Sequence, residues 1–268
     1  MYKLIALDMD GTVLNSKKTI SKENKEAIKA AISKDCKVVL STGRPVKGIE
    51  NYLNELNLIH NGDYAIALNG ALIQETKTGE VLYSDRMTHD DLKIIYKLSL
   101  KFDIDIHFFT ANECYTPKLN EYSEFDSNIN NMPLSIVDIN NLPEDLIIIK
   151  IMFVGREGKI TEIIKQIPQE FREKYNVVRT APIYLEFLNN HTSKGHGVEK
   201  LCNILNIDKK EVICVGDAEN DISMIEYAGL GVAMENAYPE VKQVANYITK
   251  TNEDNGVAHV INKFILEK

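Results

Sequence analysis

The sequence is poor in several things that would have fixed its class at once. It has four cysteines in 268 residues, Cys36, Cys114, Cys202 and Cys214, and no two form a CxxC pair or a metal-ligand spacing. That argues against a disulfide-stapled secreted scaffold and a cysteine zinc site, and predicts free buried thiols in a reducing cytoplasm. No apolar run approaches the ~20 residues of a membrane-spanning helix. The N-terminal MYKLIALDMDG lacks the long apolar stretch of a secretory signal. Positive charge is also short: 31 Lys plus Arg against 39 Asp plus Glu leave a formal charge of −8. Nucleic acids and anionic membranes are met by basic faces, so neither is expected as a partner. A small anionic ligand remains open, provided that positive charge is gathered locally. There is no tryptophan, which decides nothing, and no internal repeat or low-complexity segment.

What remains is ordinary globular composition, 44% apolar and 26% charged, long enough for one large domain or two modest ones. The chain opens with a short apolar run, Leu4-Ile5-Ala6-Leu7, which suits a strand covered on both faces. Ser21 can cap a helix over 21–34, with Ala27, Ile28, Ala31 and Ile32 at helical spacing. Lys37 to Leu40 predicts a second strand and Tyr64 to Leu68 a third. Between them Pro45 opens a helix whose apolar side is Ile49, Tyr52, Leu53 and Leu56. Strands alternating with helices predict a parallel sheet with right-handed crossovers.

The pattern changes near residue 82. Helix-like stretches at about 89–102 and 159–174 are interleaved with β-rich segments at 104–110, 147–154, 177–180 and 183–188. The polar stretch 120–133, with Asn128, Asn130 and Asn131, reads as irregular. Near residue 193 the alternation returns. A helix capped by Ser193 or Thr192 precedes the strand Val212 to Val215. A helix over about 220–228 stops at Gly229, short strands follow at 230–233 and 246–249, and a last helix covers about 256–266. The expected organisation is a discontinuous α/β domain, 1–81 plus 190–268, interrupted by an α+β insert, 82–189.

Ligands of open α/β sheets bind beyond the carboxyl ends of the strands. Polar residues gather there: Asp8 and Asp10, Thr42 to Arg44, Asn69-Gly70, and Asp217 with Asn220 and Asp221. Asp8 and Asp10, at i and i+2, point the same way from an extended chain. Their repulsion asks for compensation, and Mg²⁺ is a natural one. Taken alone, the pair is equally a turn, since Asp-Gly is a common turn dipeptide. Asp217 and Asp221 could cap a helix, but four acids at the strand ends of one sheet ask for a cation. Thr42-Gly43 offers a hydroxyl and an N–H to an oxyanion, or a plain helix cap. Lys194 suits phosphate yet reads alone as a surface lysine, as Arg44 does as a surface arginine. His107, His191, His196 and His259 show no ligand spacing and read as structural or surface residues.

Four of these segments, in order, resemble a known family. Asp8-Met9-Asp10-Gly11-Thr12-Val13-Leu14, Thr42 after an apolar strand, Lys194, and Gly216-Asp217-Ala218-Glu219-Asn220-Asp221 are similar to the motifs of the haloacid dehalogenase superfamily phosphatases. Ser41 to Pro45, Asn69-Gly70-Ala71, Ser193-Lys194-Gly195 and Asn255 to Ala258 resemble the Cof-type sugar-phosphate phosphatases, which carry an inserted α/β cap over a Rossmann-like core. The resemblance implies that Asp8 is the nucleophile and forms an aspartyl phosphate, with Asp10 as general acid and base. It implies Mg²⁺ on the Asp8 and Asp217 carboxylates and the Asp10 carbonyl. Lys194, Thr42, Asn220 and the N–H groups of Met9 and Gly43 would hold the phosphoryl oxygens, with Asp221 orienting Lys194 or metal waters. Arg44 and Asn69 are candidates for the loops that face substrate. A phosphotransferase or phosphomutase on the same scaffold, or a non-catalytic binder, is the alternative.

Overall fold

Leu4–Leu7 is a strand with all four side chains buried, and it lies at the middle of a sheet. Its neighbours are Lys37–Ser41 on one side and Val212–Gly216 on the other, both parallel, so Leu4 stands between Lys37 and Val212. This computed structural model describes residues 1–267. Among them the sheet has eight strands, in the order Tyr247–Ile248, Leu230–Ala233, Val212–Gly216, Leu4–Leu7, Lys37–Ser41, Tyr64–Ala67, Leu72–Glu75 and Val81–Ser84. The run from Tyr247–Ile248 to Tyr64–Ala67 is parallel, and Leu72–Glu75 turns back antiparallel. From the central strand, successive connections lead outward in opposite directions. That reversal opens a crevice beyond the carboxyl ends of Leu4–Leu7 and Val212–Gly216.

The chain divides into two compact units, one of residues 1–46, 50–83 and 193–268, the other of 47–49 and 84–192. In the first, alternate residues of the parallel strands feed opposite layers. Leu4, Ala6, Val39, Ile66, Val212 and Cys214 pack with Val198, Leu201 and Cys202 of helix Lys194–Leu205. Fully burying each Leu, Ile or Val contributes roughly 1.5–3 kcal/mol. Helix Lys22–Ile32 starts where Ser21 accepts from the Asn24 N–H, and it packs beside helix Gly256–Ile261. There the buried Asn24 side chain accepts from the Ala258 N–H at 2.9 Å. All four cysteines are free and buried.

The second unit holds a six-stranded sheet in the order Tyr175–Ala181, Tyr184–Asn189, Lys150–Val154, Asp105–Phe109, Cys114–Thr116 and Leu134–Ile136. Ile106, Phe108, Ile151, Phe153, Leu185 and Phe187 line one face, packed with residues of helices His89–Phe102 and Glu157–Gln166. Thr88 and Asp91 close a capping box at the start of the first of these helices.

Three expectations need correction. The stretch 120–133 is not irregular: Glu121–Ile129 is a helix, capped by Asn120, which accepts from the Ser123 N–H. Three of its polar residues, Ser123, Asp126 and Ser127, are buried. Ser123 and Asp126 meet the fully buried His107, and Ser127 donates to the Met132 carbonyl, while Phe125 and Ile129 are more than half exposed. The helix expected over 159–174 is two, Glu157–Gln166 and Gln169–Lys174, broken at Pro168. Gly229 follows helix Ile222–Tyr227 but is not left-handed. It is needed for proximity: a Cβ there would stand 2.6 Å from the Lys210 Cα.

Candidate active site

The carboxyl end of the central strand runs into a tight turn. The Asp8 N–H still donates to the Val215 carbonyl, as a sheet residue would, and then the Leu14 N–H folds back onto the Met9 carbonyl at 2.8 Å. Gly11 makes this possible, with φ at +89° and no room for a side chain: a Cβ would lie 2.3 Å from Asp217 Oδ2. The turn therefore brings Asp8 and Asp217 together, although more than two hundred residues separate them. Thr12, fully buried, donates its hydroxyl to Asp217 Oδ1 at 3.0 Å.

Lys194 opens its helix behind the Ser193 cap and reaches into the same place. It is 1% exposed, and Nζ donates to Asp8 Oδ1 and to Asp221 Oδ1, both at 2.6 Å. The other oxygen of Asp221 accepts the N–H groups of Asp217 and Ala218 at 2.9 and 3.0 Å. Asp221 is thus saturated, and it orients both Lys194 and the loop carrying Asp217. Lys194 is no surface lysine.

One ammonium faces three carboxylates, Asp8, Asp217 and Asp221, with oxygens within 4.8 Å of one another. Burial, then the Asp221 charge, push the Asp8 carboxyl up to about 8 against the pull of Lys194. Burial and Asp221 likewise raise Asp217. Burial disfavours the Lys194 cation too, but Asp221 and Asp8 outweigh it and hold its pKa above the usual lysine range. One cation shared between two acids, beside a third, cannot satisfy all of them, so Lys194 stays charged while negative charge on Asp8 is costly. Asp8 Oδ2 is moreover buried with no hydrogen-bond donor. A crowded, all-oxygen donor set with an orphaned buried oxygen fits a small hard divalent cation such as Mg²⁺.

The Asp10 carboxylate lies outside this group and is turned to two cations. Arg44 holds it as a fork, Nε donating to Oδ2 at 3.0 Å and Nη2 to Oδ1 at 2.6 Å, and Lys18 Nζ donates to Oδ1 at 2.7 Å. Burial would raise the Asp10 pKa, but Lys18 and Arg44 together bring it below the ordinary value. Arg44, expected in a substrate-facing loop, is here a partner of Asp10.

The remaining candidates are stitched to one another. Thr42 Oγ1 accepts from the Arg44 N–H at 3.2 Å, and the Thr42 carbonyl accepts from the Asn69 N–H at 3.0 Å. Asn69 is buried and left-handed, with its side-chain oxygen beside Gly43. That oxygen accepts from Asn220 Nδ2 at 3.0 Å. Asn69 therefore ties the loop of Thr42 and Gly43 to the loop of Asn220. Met9 is fully buried, and its carbonyl accepts the Leu14 N–H.

The histidines find other partners. His196 Nε2 lies 3.0 Å from the Tyr83 hydroxyl, His259 Nε2 lies 3.0 Å from the Tyr247 hydroxyl, and His107 is enclosed in the second unit. Sequence reasoning gave no role to Thr12 or Lys18. Thr12 was signalled by its place in the D-x-D-G-T run, whereas nothing local marked Lys18.

A family model described as haloacid dehalogenase-like hydrolase matches residues 5–261. The chain is 45% identical over 270 residues to "Putative phosphatase YxeH" of Bacillus subtilis (strain 168), covering 100% of both chains. It is 30% identical over 291 residues to the same organism's 5-amino-6-(5-phospho-D-ribitylamino)uracil phosphatase YwtE, covering 98% of each. Among solved structures, a haloacid dehalogenase-like hydrolase from Bacteroides thetaiotaomicron superposes with a TM-score of 0.86 at 32% identity, over 99% of this chain and 100% of the other.

Proposed function

The chain belongs to the haloacid dehalogenase-like hydrolases, and on that footing we propose that it hydrolyses small phosphorylated metabolites, sugar phosphates first among them, through an aspartyl phosphate on Asp8. The observation that carries the reading is Lys194, a buried ammonium that bridges Asp8 and Asp221 at 2.6 Å beside the orphaned Asp8 Oδ2. A structural ion pair has no need of an unsatisfied oxygen or of a third carboxylate.

Asp8 attacks phosphorus in line with the ester oxygen, which departs with a proton from Asp10. Asp10, now ionised, takes a proton from a water that attacks the aspartyl phosphate, and phosphate and the Asp8 carboxylate are regenerated. Lys194, the Thr42 hydroxyl, the Asn220 amide and the N–H groups of Met9 and Gly43 hold the phosphoryl oxygens as charge moves across them. Asp221 keeps Lys194 in place. The carboxylates of Asp8 and Asp217 and the Asp10 carbonyl would hold Mg²⁺, which would supply charge neutralisation between an anionic nucleophile and an anionic ester. Residues 1–46, 50–83 and 193–268 are read as the catalytic core and the inserted unit as the cap that selects substrate. The phosphoribityl group named for the YwtE relative supports a phosphate ester of a sugar or sugar alcohol. Four free buried thiols support a cytoplasmic location.

The test is phosphate release over some tens of phosphorylated metabolites, with Mg²⁺ and with chelator. Release is expected only with the metal. Asp8→Asn should fall below roughly a tenth of wild-type turnover, since removing an essential nucleophile costs far more than tenfold. Turnover above that level rejects Asp8 as nucleophile.

A further inference from the structure

Leu68, Asn69 and Gly70 follow one another with φ at 52°, 58° and 96°. Single left-handed residues are routine at Asn and Gly, but a run of three that begins with a leucine is not, because a Cβ in that region crowds the following carbonyl. Such strain persists where the surroundings impose it, and it gathers at functional sites. Here the surroundings are the segments that carry the proposed phosphate grip, all of them in the first unit.

The turn engages three of these segments. The Leu68 N–H donates to the Arg44 carbonyl at 3.2 Å and the Asn69 N–H to the Thr42 carbonyl at 3.0 Å, so the loop of Thr42 and Gly43 is bound on both sides of its glycine. Gly70 lies against the start of the Lys194 helix: a Cβ on it would stand 2.0 Å from the Ser193 carbonyl oxygen. One turn along that helix, a Cβ on Gly197 would stand 2.8 Å from the Gly70 Cα. The third engagement is made by a side chain. Asn69 is 7% exposed, and its Oδ1 accepts from Asn220 Nδ2 at 3.0 Å. The same Oδ1 is 3.1 Å from the place a Cβ would take on Gly43, so the Asn220 nitrogen is held on the side of the Thr42–Gly43 loop. An amide nitrogen carries two hydrogens. One goes to Asn69, and the second is left for a ligand.

We propose that Asn69 is a positioning residue for Asn220: its side-chain oxygen fixes the Asn220 amide so that the remaining N–H is presented beside Gly43, where the phosphoryl oxygens are to be held. Asn69 acts through Asn220 and does not itself face substrate. The inference rests on the phosphatase reading above.

Two single variants and their combination test it, with p-nitrophenyl phosphate as substrate and Mg²⁺ present. Asn69→Gly removes the side chain and keeps a residue that accepts the left-handed backbone, so its urea midpoint should match wild type. Its kcat/KM should fall by about tenfold or more, and that of Asn220→Ala by a similar factor, the scale of misplacing one group at a reacting centre. Inorganic phosphate, used as a competitive inhibitor, should bind more weakly to both variants. The double variant should lose no more than about threefold beyond the worse single one, because both changes remove the same contact. Losses that multiply overturn the proposal, since Asn69 then acts on its own, and so does an unchanged kcat/KM in Asn69→Gly. A fall in activity that comes with a lowered urea midpoint in Asn69→Gly also overturns it, as the mark of a damaged fold. A wild-type protein that releases no phosphate from this ester or from any tested metabolite overturns the phosphatase reading and this inference with it, whereas an active one whose losses multiply overturns this inference alone.

Discussion

Replacing Lys194 by Met removes one positive charge from a place where water does not reach. Nζ has two carboxylate partners at 2.6 Å and the residue is 1% exposed, so Asp8 and Asp221 both lose their counter-charge. Breaking a buried ion pair by deleting one partner costs about 3–5 kcal/mol. Here the loss is limited, because Asp8 already has its pKa at about 8 and can take up a proton instead of remaining an unpaired anion. A destabilisation of about 2–4 kcal/mol is therefore expected from urea unfolding with chelator present. Because a cation that binds only the folded state stabilises it, Mg²⁺ should recover part of that loss. Activity should suffer more. One electrostatic contact to a phosphoryl group in transfer contributes about 2–4 kcal/mol, which converts to a fall in kcat/KM of about 30- to 1000-fold. Phosphate release measured against substrate concentration reads the ratio directly. A kcat/KM within about threefold of wild type, together with an unchanged urea midpoint, would refute the reasoning, since a buried cation between two acids cannot be removed without consequence.

Two further outcomes follow from the geometry. Gly11→Ala should destabilise the protein by about 1–3 kcal/mol and impair metal-dependent turnover, because the added Cβ is both left-handed and within 2.3 Å of Asp217 Oδ2; an unchanged denaturation midpoint argues against it. In the second unit, burial would raise Asp91, but Lys174, Thr88 and Tyr175 outweigh it and lower its pKa to about 2 from the ordinary 3.8, so its contribution is present above about pH 4 and is lost as pH falls toward 2. The stability difference between wild type and Asp91→Asn, followed by thermal melts, should shrink across that window, and a constant difference would count against the assignment.

The parallel sheet was legible because strands such as Leu4–Leu7 are short apolar runs ending in acids, and helices such as Lys22–Ile32 carry an apolar stripe and a serine cap. The helix Glu121–Ile129 was not, because its pattern is inverted. Ser123 and Asp126 are buried because His107 meets them, and no periodicity rule anticipates a polar face turned inward. Lys194 read alone as a surface residue; only its place in a series of motifs recommended it, and its two partners depend on chain ends brought together by strand order. Lys18 had no signal at all. Its reach to Asp10 depends on a left-handed backbone whose carbonyl accepts the Tyr52 hydroxyl of helix Glu50–Glu55, and that is a tertiary fact.

The central strand has consequences for how the molecule is made. Leu4–Leu7 is made well before its partner Val212–Gly216, which comes more than two hundred residues later. Nearly all of the second unit, residues 84–192, is synthesised in between as one unbroken stretch. Domains generally fold as units during synthesis, while parallel pairings between distant segments come slowly and late. The half-built first unit must therefore wait, its central strand unpaired on one edge, until Val212–Gly216 has been made. No product that stops before residue 221 contains Asp217 and Asp221 together, so a prematurely released chain carries Asp8 without the two carboxylates that lie beside it here. The order of the chain thus delays assembly of the acidic cluster until its last carboxylate has been made.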